Sequence, residues 1–186
     1  MKIYHYNNWH IRANDERYTP RYTVLPIIKY LPQKAVIWCP FDTENSEFVL
    51  TLKENGFKVT HSHIVNGDDF YTYEPEYWDI IVSNPPFSNK RQIFERCLSF
   101  GKPFALIMSN LALNDSFPCR LFKDKELQLL MFDKRIQYNL LERIPFASSY
   151  FCHKLLPKQI IFENLDVVKG QMSRMYKDME DFVKKR

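Results

Sequence analysis

Short apolar runs alternate with amphipathic segments through most of the chain, and this alternation restricts the possible folds more than any other feature. The runs at 35–39, 78–83 and 103–109 are apolar at nearly every position, as strands are when both faces of a sheet are covered. The segments 44–55 and 88–100 carry apolar residues at helical spacing, and each is followed by a glycine. The pattern predicts βαβ units, and therefore an α/β fold with a mainly parallel sheet.

Further elements complete this prediction. They are a helix over 21–31, a strand over 57–63, a strand or a helix over 126–132, two strands over 148–164 joined near Leu156-Pro157, and a helix over 170–186. The last strands are expected to form an antiparallel hairpin at the C-terminal end of the sheet. Pro26 falls inside the first helix, where it would be tolerated in the first turn. Residues 1–19 are predicted to be an N-terminal arm, and 20–186 a single domain.

Composition excludes several classes of protein. A hydrophobic fraction of 45% is ample for a buried core. Four isolated cysteines and five scattered histidines indicate neither a disulfide framework nor a metal site. No apolar run approaches membrane-spanning length, so a soluble, cytoplasmic protein with no membrane partner is expected. The formal charge of +4 is compatible with a polyanionic partner but does not require one.

The chemistry-bearing motif is Asn84-Pro85-Pro86-Phe87, directly after the apolar run 78–83. In parallel sheets ligands bind beyond the carboxyl ends of the strands, where this segment is expected. Each proline fixes its own φ and lacks a backbone donor, and it keeps the preceding residue extended. The result is a stiff element that presents an amide side chain, a backbone carbonyl and a ring. A strand that merely ends in a proline turn is the competing interpretation.

This segment resembles the Asn/Asp/Ser-Pro-Pro-aromatic catalytic motif of amino-methyltransferases. The resemblance implies that the Asn84 side-chain oxygen and the Pro85 carbonyl bind the two N–H groups of an exocyclic amine. They would draw its nitrogen toward tetrahedral geometry and aim its lone pair at the methyl group of S-adenosylmethionine. Phe87 would stack on the target base after it is flipped out of its helix.

The wider chain is similar to the Rossmann-like N6-adenine methyltransferases, of the short orphan type found in bacteria and phages. Tyr18-Thr19-Pro20 resembles the family's aromatic-x-Thr-Pro element, which closes over the methionine part of the cofactor. Asp69-Phe70 is similar to its Gly-Asp-Phe element, whose Asp binds the cofactor's adenine amino group; the neighbouring Asp68 is the alternative. The resemblance implies a three-layer methyltransferase fold and S-adenosylmethionine as cofactor.

Two parts of this family pattern are altered. The family's Asp-Pro-Phe and glycine-rich turn correspond to Cys39-Pro40-Phe41-Asp42-Thr43-Glu44. Glycine allows backbone to approach a cofactor closely, so this loop must bind differently or weakly. The acidic residue that usually binds the ribose is replaced by a stretch containing Ser62 and His63, and Glu44 is a further candidate for that role.

The expected substrate is adenine N6 in nucleic acid, with DNA favoured over RNA. Basic residues that follow the predicted strands could contact phosphates, or could equally be solvated surface. They are Lys90, Arg91, Arg120, Lys123, Lys125, Lys134 and Arg135. Because the motif is shared more widely, N2 of guanine in RNA and a glutamine side chain in protein remain alternatives. A catalytically silent relative that binds nucleic acid or protein is a further one.

Overall fold

The structure is a computed structural model that describes residues 19–138 and 145–166. The described strands are β1 Val36–Cys39, β2 Lys58–His61, β3 Ile80–Ser83, β4 Phe104–Ser109, β5 Gln128–Phe132, β6 Ser148–His153 and β7 Ile160–Glu163. The α-helices are α1 Arg21–Ile28, α2 Glu47–Glu54, α3 Lys90–Ser99 and α4 Phe117–Leu121. Two 3₁₀ helices, Ile64–Asn66 and Asn110–Asn114, follow β2 and β4.

The strands form one sheet in the order β2-β1-β3-β4-β6-β5-β7. Six strands run in the same direction, and β6 alone is antiparallel to its neighbours β4 and β5. The predicted α/β class, with a mainly parallel sheet and an antiparallel strand near its C-terminal end, is therefore confirmed. The two predicted C-terminal strands are β6 and β7, but they do not pair with each other, because β5 lies between them.

Helices cover both faces of the sheet, giving three layers. On one face, α1 and α2 pack against the side of β1 that carries Ile37. On the other, α3 and the Phe117 ring at the start of α4 pack against the side that carries Trp38. Because successive side chains of a strand point to opposite faces, a strand covered on both sides must be apolar at every position. This requirement accounts for the continuous apolar runs in the sequence.

The order of the strands reverses between β1 and β3. From β1 the chain crosses through α2 to β2 on one side, and from β3 it crosses through α3 to β4 on the other. The loops that leave β1 and β3 therefore separate in opposite directions and open a crevice at the carboxyl edge of the sheet. In doubly wound sheets this switch point is where ligands bind.

Several boundaries differ from the prediction. Pro26 is the sixth residue of α1, not a first-turn residue, and the helix ends two residues later instead of continuing to 31. A proline lacks the N–H needed to extend the hydrogen-bond ladder, which is consistent with this early end. The segment 110–125, for which no helix or strand was predicted, contains the second 3₁₀ helix and α4. The ambiguous segment 126–132 contains β5.

Other predictions agree with the structure or lie outside it. Gly56 and Gly101 adopt positive φ values of 84° and 67° just after α2 and α3, as helix-ending glycines do. The predicted helix 170–186 and most of the 1–19 arm lie outside the described residues. Within residues 19–138 and 145–166, no helix is long and apolar enough to cross a membrane.

Candidate functional site

The candidate site lies at the switch point, where two loops leave the central strands. The β1 loop comprises residues 40–46 and connects β1 to α2. The NPPF segment comprises residues 84–87 and leaves β3 toward α3. Since β1 and β3 are hydrogen-bonded neighbours that run in parallel, both loops begin at the same edge of the sheet. The fold thus brings together two parts of the predicted site that are about forty residues apart in sequence.

The NPPF segment begins at the first residue after β3. The Asn84 side-chain oxygen is shielded from solvent, Pro85 is buried, and Pro86 is half-buried. Asn89, at the start of α3, adopts a left-handed conformation with φ of 56°, which turns the chain back toward the helix. The segment therefore lies at the carboxyl edge between the end of β3 and the start of α3, where the two prolines favour an extended backbone.

The Phe87 ring is half-buried and packs against two aromatic rings. Its centroid lies 5.5 Å from that of Phe146 and 6.1 Å from that of Tyr138, and both contacts are edge-to-face. Phe146 and Tyr138 were not predicted from the sequence, because they lie between β5 and β6 in a stretch with no predicted element. The signal that could have identified them is that both are aromatic and lie on the predicted ligand edge.

The β1 loop turns inward at Asp42. Its carboxyl accepts a hydrogen bond from the Ser83 hydroxyl, at the end of β3, and its backbone N–H donates to the Ser62 carbonyl at 3.2 Å. Burial raises the pKa of Asp42 to about 7, while hydrogen bonds from the Ser83 and Ser46 hydroxyls act in the opposite direction. Asp42 was predicted to lie in the cofactor site, but its contact with Ser83 was not predicted.

The rest of the β1 loop is a compact turn without glycine. The Thr43 N–H donates to the Ser46 hydroxyl at 2.9 Å, and the Ser46 N–H donates to the Thr43 carbonyl at 3.1 Å. Pro40 is buried, and Glu44 is exposed at the outer part of the turn. Side-chain hydrogen bonds of this kind shape a turn that glycines would otherwise allow.

The Asp69-Phe70 element lies beside the β1 loop. The Phe70 ring is 4.6 Å from the half-buried Phe41 ring and 5.6 Å from that of Trp38, so Phe70 belongs to the core. Asp69 is half-buried, and its Oδ1 accepts a hydrogen bond from the Tyr71 N–H at 3.0 Å. The packing of Phe41 on Phe70 brings this turn and the β1 loop to the same side of the crevice.

The two residues expected near the ribose lie just after β2. Ser62 is fully buried, and its hydroxyl accepts a hydrogen bond from Trp38 Nε1 at 3.0 Å. His63 is half-buried, and its Nδ1 accepts from the Val65 N–H at 3.2 Å. Of the two, His63 is the one with exposed surface at this edge.

Thr19 and Pro20 are buried where the chain enters α1. The Thr23 hydroxyl donates to the Pro20 carbonyl at 2.6 Å, and the Tyr150 hydroxyl of β6 donates to the Thr23 carbonyl at 2.9 Å. Tyr150 pairs with Ile107, two residues before the end of β4. The start of α1 is thus held over the carboxyl half of the sheet. Tyr18 lies outside the described residues.

The basic residues near this edge differ in their contacts. Lys90 forms an ion pair with Asp115 at 3.2 Å, and Arg91 pairs with Glu95 along α3 at 2.7 Å. The basic side chains in α4 and just after it are exposed; they are Arg120, Lys123 and Lys125. Within the described ranges, no group of three or more His, Cys, Asp or Glu residues could hold a metal ion.

Comparisons with known proteins add a likeness to solved structures. One is a Listeria monocytogenes protein provisionally assigned to the class I S-adenosylmethionine-dependent methyltransferases, with 10% identity and a TM-score of 0.43, covering 87% of this chain and 68% of that one. Another is the methyltransferase subunit of a type I restriction-modification system from Streptococcus thermophilus, with 12% identity and a TM-score of 0.46. The alignment covers 88% of this chain but about half of that subunit, 51%. No protein-family model and no curated protein sequence matches the chain.

Proposed function

We propose that this protein is an S-adenosylmethionine-dependent methyltransferase that acts on the exocyclic N6 amino group of adenine in nucleic acid, with DNA as the favoured polymer. The observation that carries the proposal is the position of Asn84-Pro85-Pro86-Phe87. This segment directly follows a central strand, at the switch point of a doubly wound sheet, where ligands bind. The competing interpretation, a proline turn without function, predicts no such relation to the switch point.

The residues around the β1 loop match the chemistry of the cofactor. Phe41 offers a half-buried ring for an adenine, and Asp69 offers a carboxylate for its amino group. Glu44 and His63 have exposed polar atoms that suit ribose hydroxyls. The rest of the cofactor site would be shaped by the residues behind these, namely Thr19, Pro20, Pro40, Asp42, Ser62 and Phe70. The residue types present therefore fit S-adenosylmethionine, although no glycine lines the turn.

The catalytic role of the NPPF segment follows from its acceptors. When bound, S-adenosylmethionine supplies an electrophilic methyl group. The Asn84 oxygen and the Pro85 carbonyl accept hydrogen bonds from the two N–H groups of the substrate amine, which localises the nitrogen lone pair. Once the bound base excludes water from the site, these hydrogen bonds would be stronger than they are in solvent.

The remaining steps need little from the protein. As the nitrogen's bond to the methyl carbon forms, the bond from that carbon to the cofactor's sulfur would break and leave its electron pair on sulfur. The nitrogen would become acidic only at that stage, so no strong base is required, and its proton would pass to solvent. Phe87 would hold the base by stacking, assisted by the aromatic contacts it makes with Tyr138 and Phe146. The two prolines limit how far the ring can move relative to Asn84.

Mass spectrometry of nucleosides tests the proposal. The chain is expressed in a host that lacks its own adenine methylation, and DNA and RNA are hydrolysed separately. We expect N6-methyladenine above the empty-vector level in DNA. Its appearance in RNA alone would replace DNA by RNA as the polymer. N2-methylguanine in RNA, or methylated glutamine in a separate digest of the host protein, with no N6-methyladenine, would contradict the assignment to adenine.

Calorimetric titration separates an active enzyme from a silent relative. The glycine-free turn of the β1 loop is the observation that favours a silent relative. We expect saturable binding of S-adenosylmethionine to the purified chain. The absence of heat at millimolar cofactor, together with no methylated product, would rule out the methyltransferase assignment.

A further inference from the structure

Asp42 connects the ends of β1, β2 and β3, the three strands at the switch point. Asp42 lies three residues beyond β1 and is only 6% exposed. Its backbone N–H donates to the Ser62 carbonyl, next to the end of β2. Its carboxyl accepts a hydrogen bond from Ser83, the last residue of β3. Asn84, the proposed amine-binding residue, is the next residue in the chain.

A carboxyl group in this place destabilises the fold when it is ionised. Transfer of an ionised carboxylate out of water is unfavourable unless hydrogen bonds compensate, and here burial outweighs the two serine hydroxyls. An apolar side chain would avoid that cost. A buried carboxyl with a perturbed pKa in a ligand crevice is more typical of functional sites than of structural ones.

The stiffness of the NPPF segment makes the position of Ser83 important for Asn84. Pro85 restricts Asn84 to extended conformations, and Pro86 does the same for Pro85. The chain between Ser83 and the Pro85 carbonyl therefore has few soft torsions with which to absorb a displacement. A shift at the end of β3 would move both proposed acceptors together.

The β1 loop is equally tied to Asp42 on its other side. Thr43 and Ser46 close the turn with two mutual hydrogen bonds, and α2 begins at the next residue, Glu47. A movement of Asp42 would therefore move the turn as a unit. The Asp42–Ser83 contact is thus a direct link between the cofactor-side loop and the amine-side segment.

We propose that Asp42 and Ser83 form a positioning pair, which holds the two loops at the separation and angle that methyl transfer from cofactor to amine requires. The pair touches neither reactant; it acts through Asn84 and through the turn at 43–46. This inference rests on the proposed function. Its physical basis is that in-line transfer is very sensitive to the relative position of the reacting groups, whereas ground-state binding is less so.

The test compares steady-state kinetics of five variants with the wild-type chain. Asp42→Ala, Ser83→Ala and their double variant remove the contact, and Asp42→Asn keeps an acceptor oxygen. The control is Thr51→Val, which removes a buried hydroxyl that contacts Glu47 at 3.4 Å within α2. Thermal unfolding of each variant is measured first. If Asp42→Ala does not fold, Ser83→Ala, which loses a single oxygen atom, decides the outcome.

We expect each alanine variant to lower kcat by about 10- to 100-fold, with KM for the cofactor changed by no more than about threefold. The double variant should be no worse than Asp42→Ala, which already removes the contact with Ser83. Asp42→Asn should recover most of kcat, and Thr51→Val should leave it unchanged.

Three results would contradict the proposed positioning role of Asp42 and Ser83. They are additive losses in the double variant, a rise in KM with kcat unchanged, or an Asp42→Asn variant as slow as Asp42→Ala. An inactive wild-type chain would instead contradict the proposed function, and the pair with it. An active wild-type chain with unaffected variants would contradict the pair alone.

Discussion

The two loops at the switch point obtain their shape by different means. The NPPF segment is stiff because of covalent geometry, since its two prolines restrict the backbone whatever surrounds them. The β1 loop is shaped by contacts, namely the hydrogen bonds of Asp42 with Ser83 and of Thr43 with Ser46. The first kind of order is local and can be recognised in a sequence. The second depends on a residue forty-one positions away and becomes apparent only in the folded protein.

The same contrast predicts which loop tolerates substitution. Asn84 or Phe87 can lose its side chain without disturbing a backbone that the prolines hold, so variants at these two positions should report chemistry. Residues of the β1 loop maintain the loop itself, so their variants should report both stability and chemistry. The predictions below separate these two outcomes, beginning with the largest expected effect.

Removal of the Asn84 amide should have the largest effect. Asn84→Ala is expected to lower kcat by about 10²- to 10³-fold, as loss of a preorganised polar group at a reacting centre does. Binding of S-adenosylmethionine should stay nearly unchanged, because the backbone of the segment is retained by its prolines. Single-turnover methyl transfer and calorimetry measure the two quantities.

Asn114→Ala, at an exposed position, is the matched control and should behave as wild type. Full activity of Asn84→Ala would contradict the proposed role of the amide. A loss of cofactor binding equal to the loss of kcat would indicate that the segment is not independent of the β1 loop.

Much of the fold could be predicted from the sequence, since apolar runs, helical spacing and terminal glycines are local signals. β1, β3 and β4 were recognisable because both of their faces are buried. The position of β5 between β6 and β7 was not, because strand order depends on packing between segments distant in sequence. Of the site, Asn84 to Phe87 was identified from neighbouring residues. The role of Ser83 was missed, although it is a polar residue that ends an apolar run.

The second prediction concerns the β1 loop and pH. The pKa of Asp42 is about 7 in the folded protein, against an ordinary value of 3.8. Between these values the unfolded chain releases a proton that the folded chain keeps, so the free energy of unfolding should fall as pH rises from about 4 to 7. The loss should amount to a few kcal/mol, since each unit of pKa difference corresponds to about 1.4 kcal/mol.

Urea unfolding at several pH values compares wild type with Asp42→Asn, which cannot ionise. Nearby Cys39 and Tyr150 have pKa values raised by burial, so they stay neutral through this window. Asp79 and Glu163 have lowered pKa values, and their contributions are lost as pH falls, below the window of Asp42. The same downward slope in both proteins would show that Asp42 is not its source.

A smaller effect is expected from the aromatic ring of the NPPF segment. Phe87→Leu keeps apolar contact with Tyr138 and Phe146 but removes the face on which a base would stack. Because stacking of a base on an aromatic ring contributes about 1–3 kcal/mol, kcat/KM for a nucleic-acid substrate should fall by about tenfold or somewhat more. Phe162→Leu, at a position 76% exposed on β7, serves as control. Equal kinetics of the two variants would exclude stacking by Phe87.

The smallest effect should distinguish two adjacent carboxylates on the cofactor side. Asp69→Asn keeps the oxygen that accepts from the Tyr71 N–H, so the turn is retained while the charge is lost. Asp68→Asn makes the same chemical change one residue earlier.

If Asp69 binds the cofactor's adenine amino group, its substitution should weaken calorimetric affinity by about tenfold, the usual contribution of a hydrogen bond to a charged group. Asp68→Asn should change it by less than about twofold. The reverse order would move the adenine contact to Asp68, and equal affinities would exclude both carboxylates. In the latter case Phe41 and the turn at 43–46 would have to hold the adenine without a carboxylate.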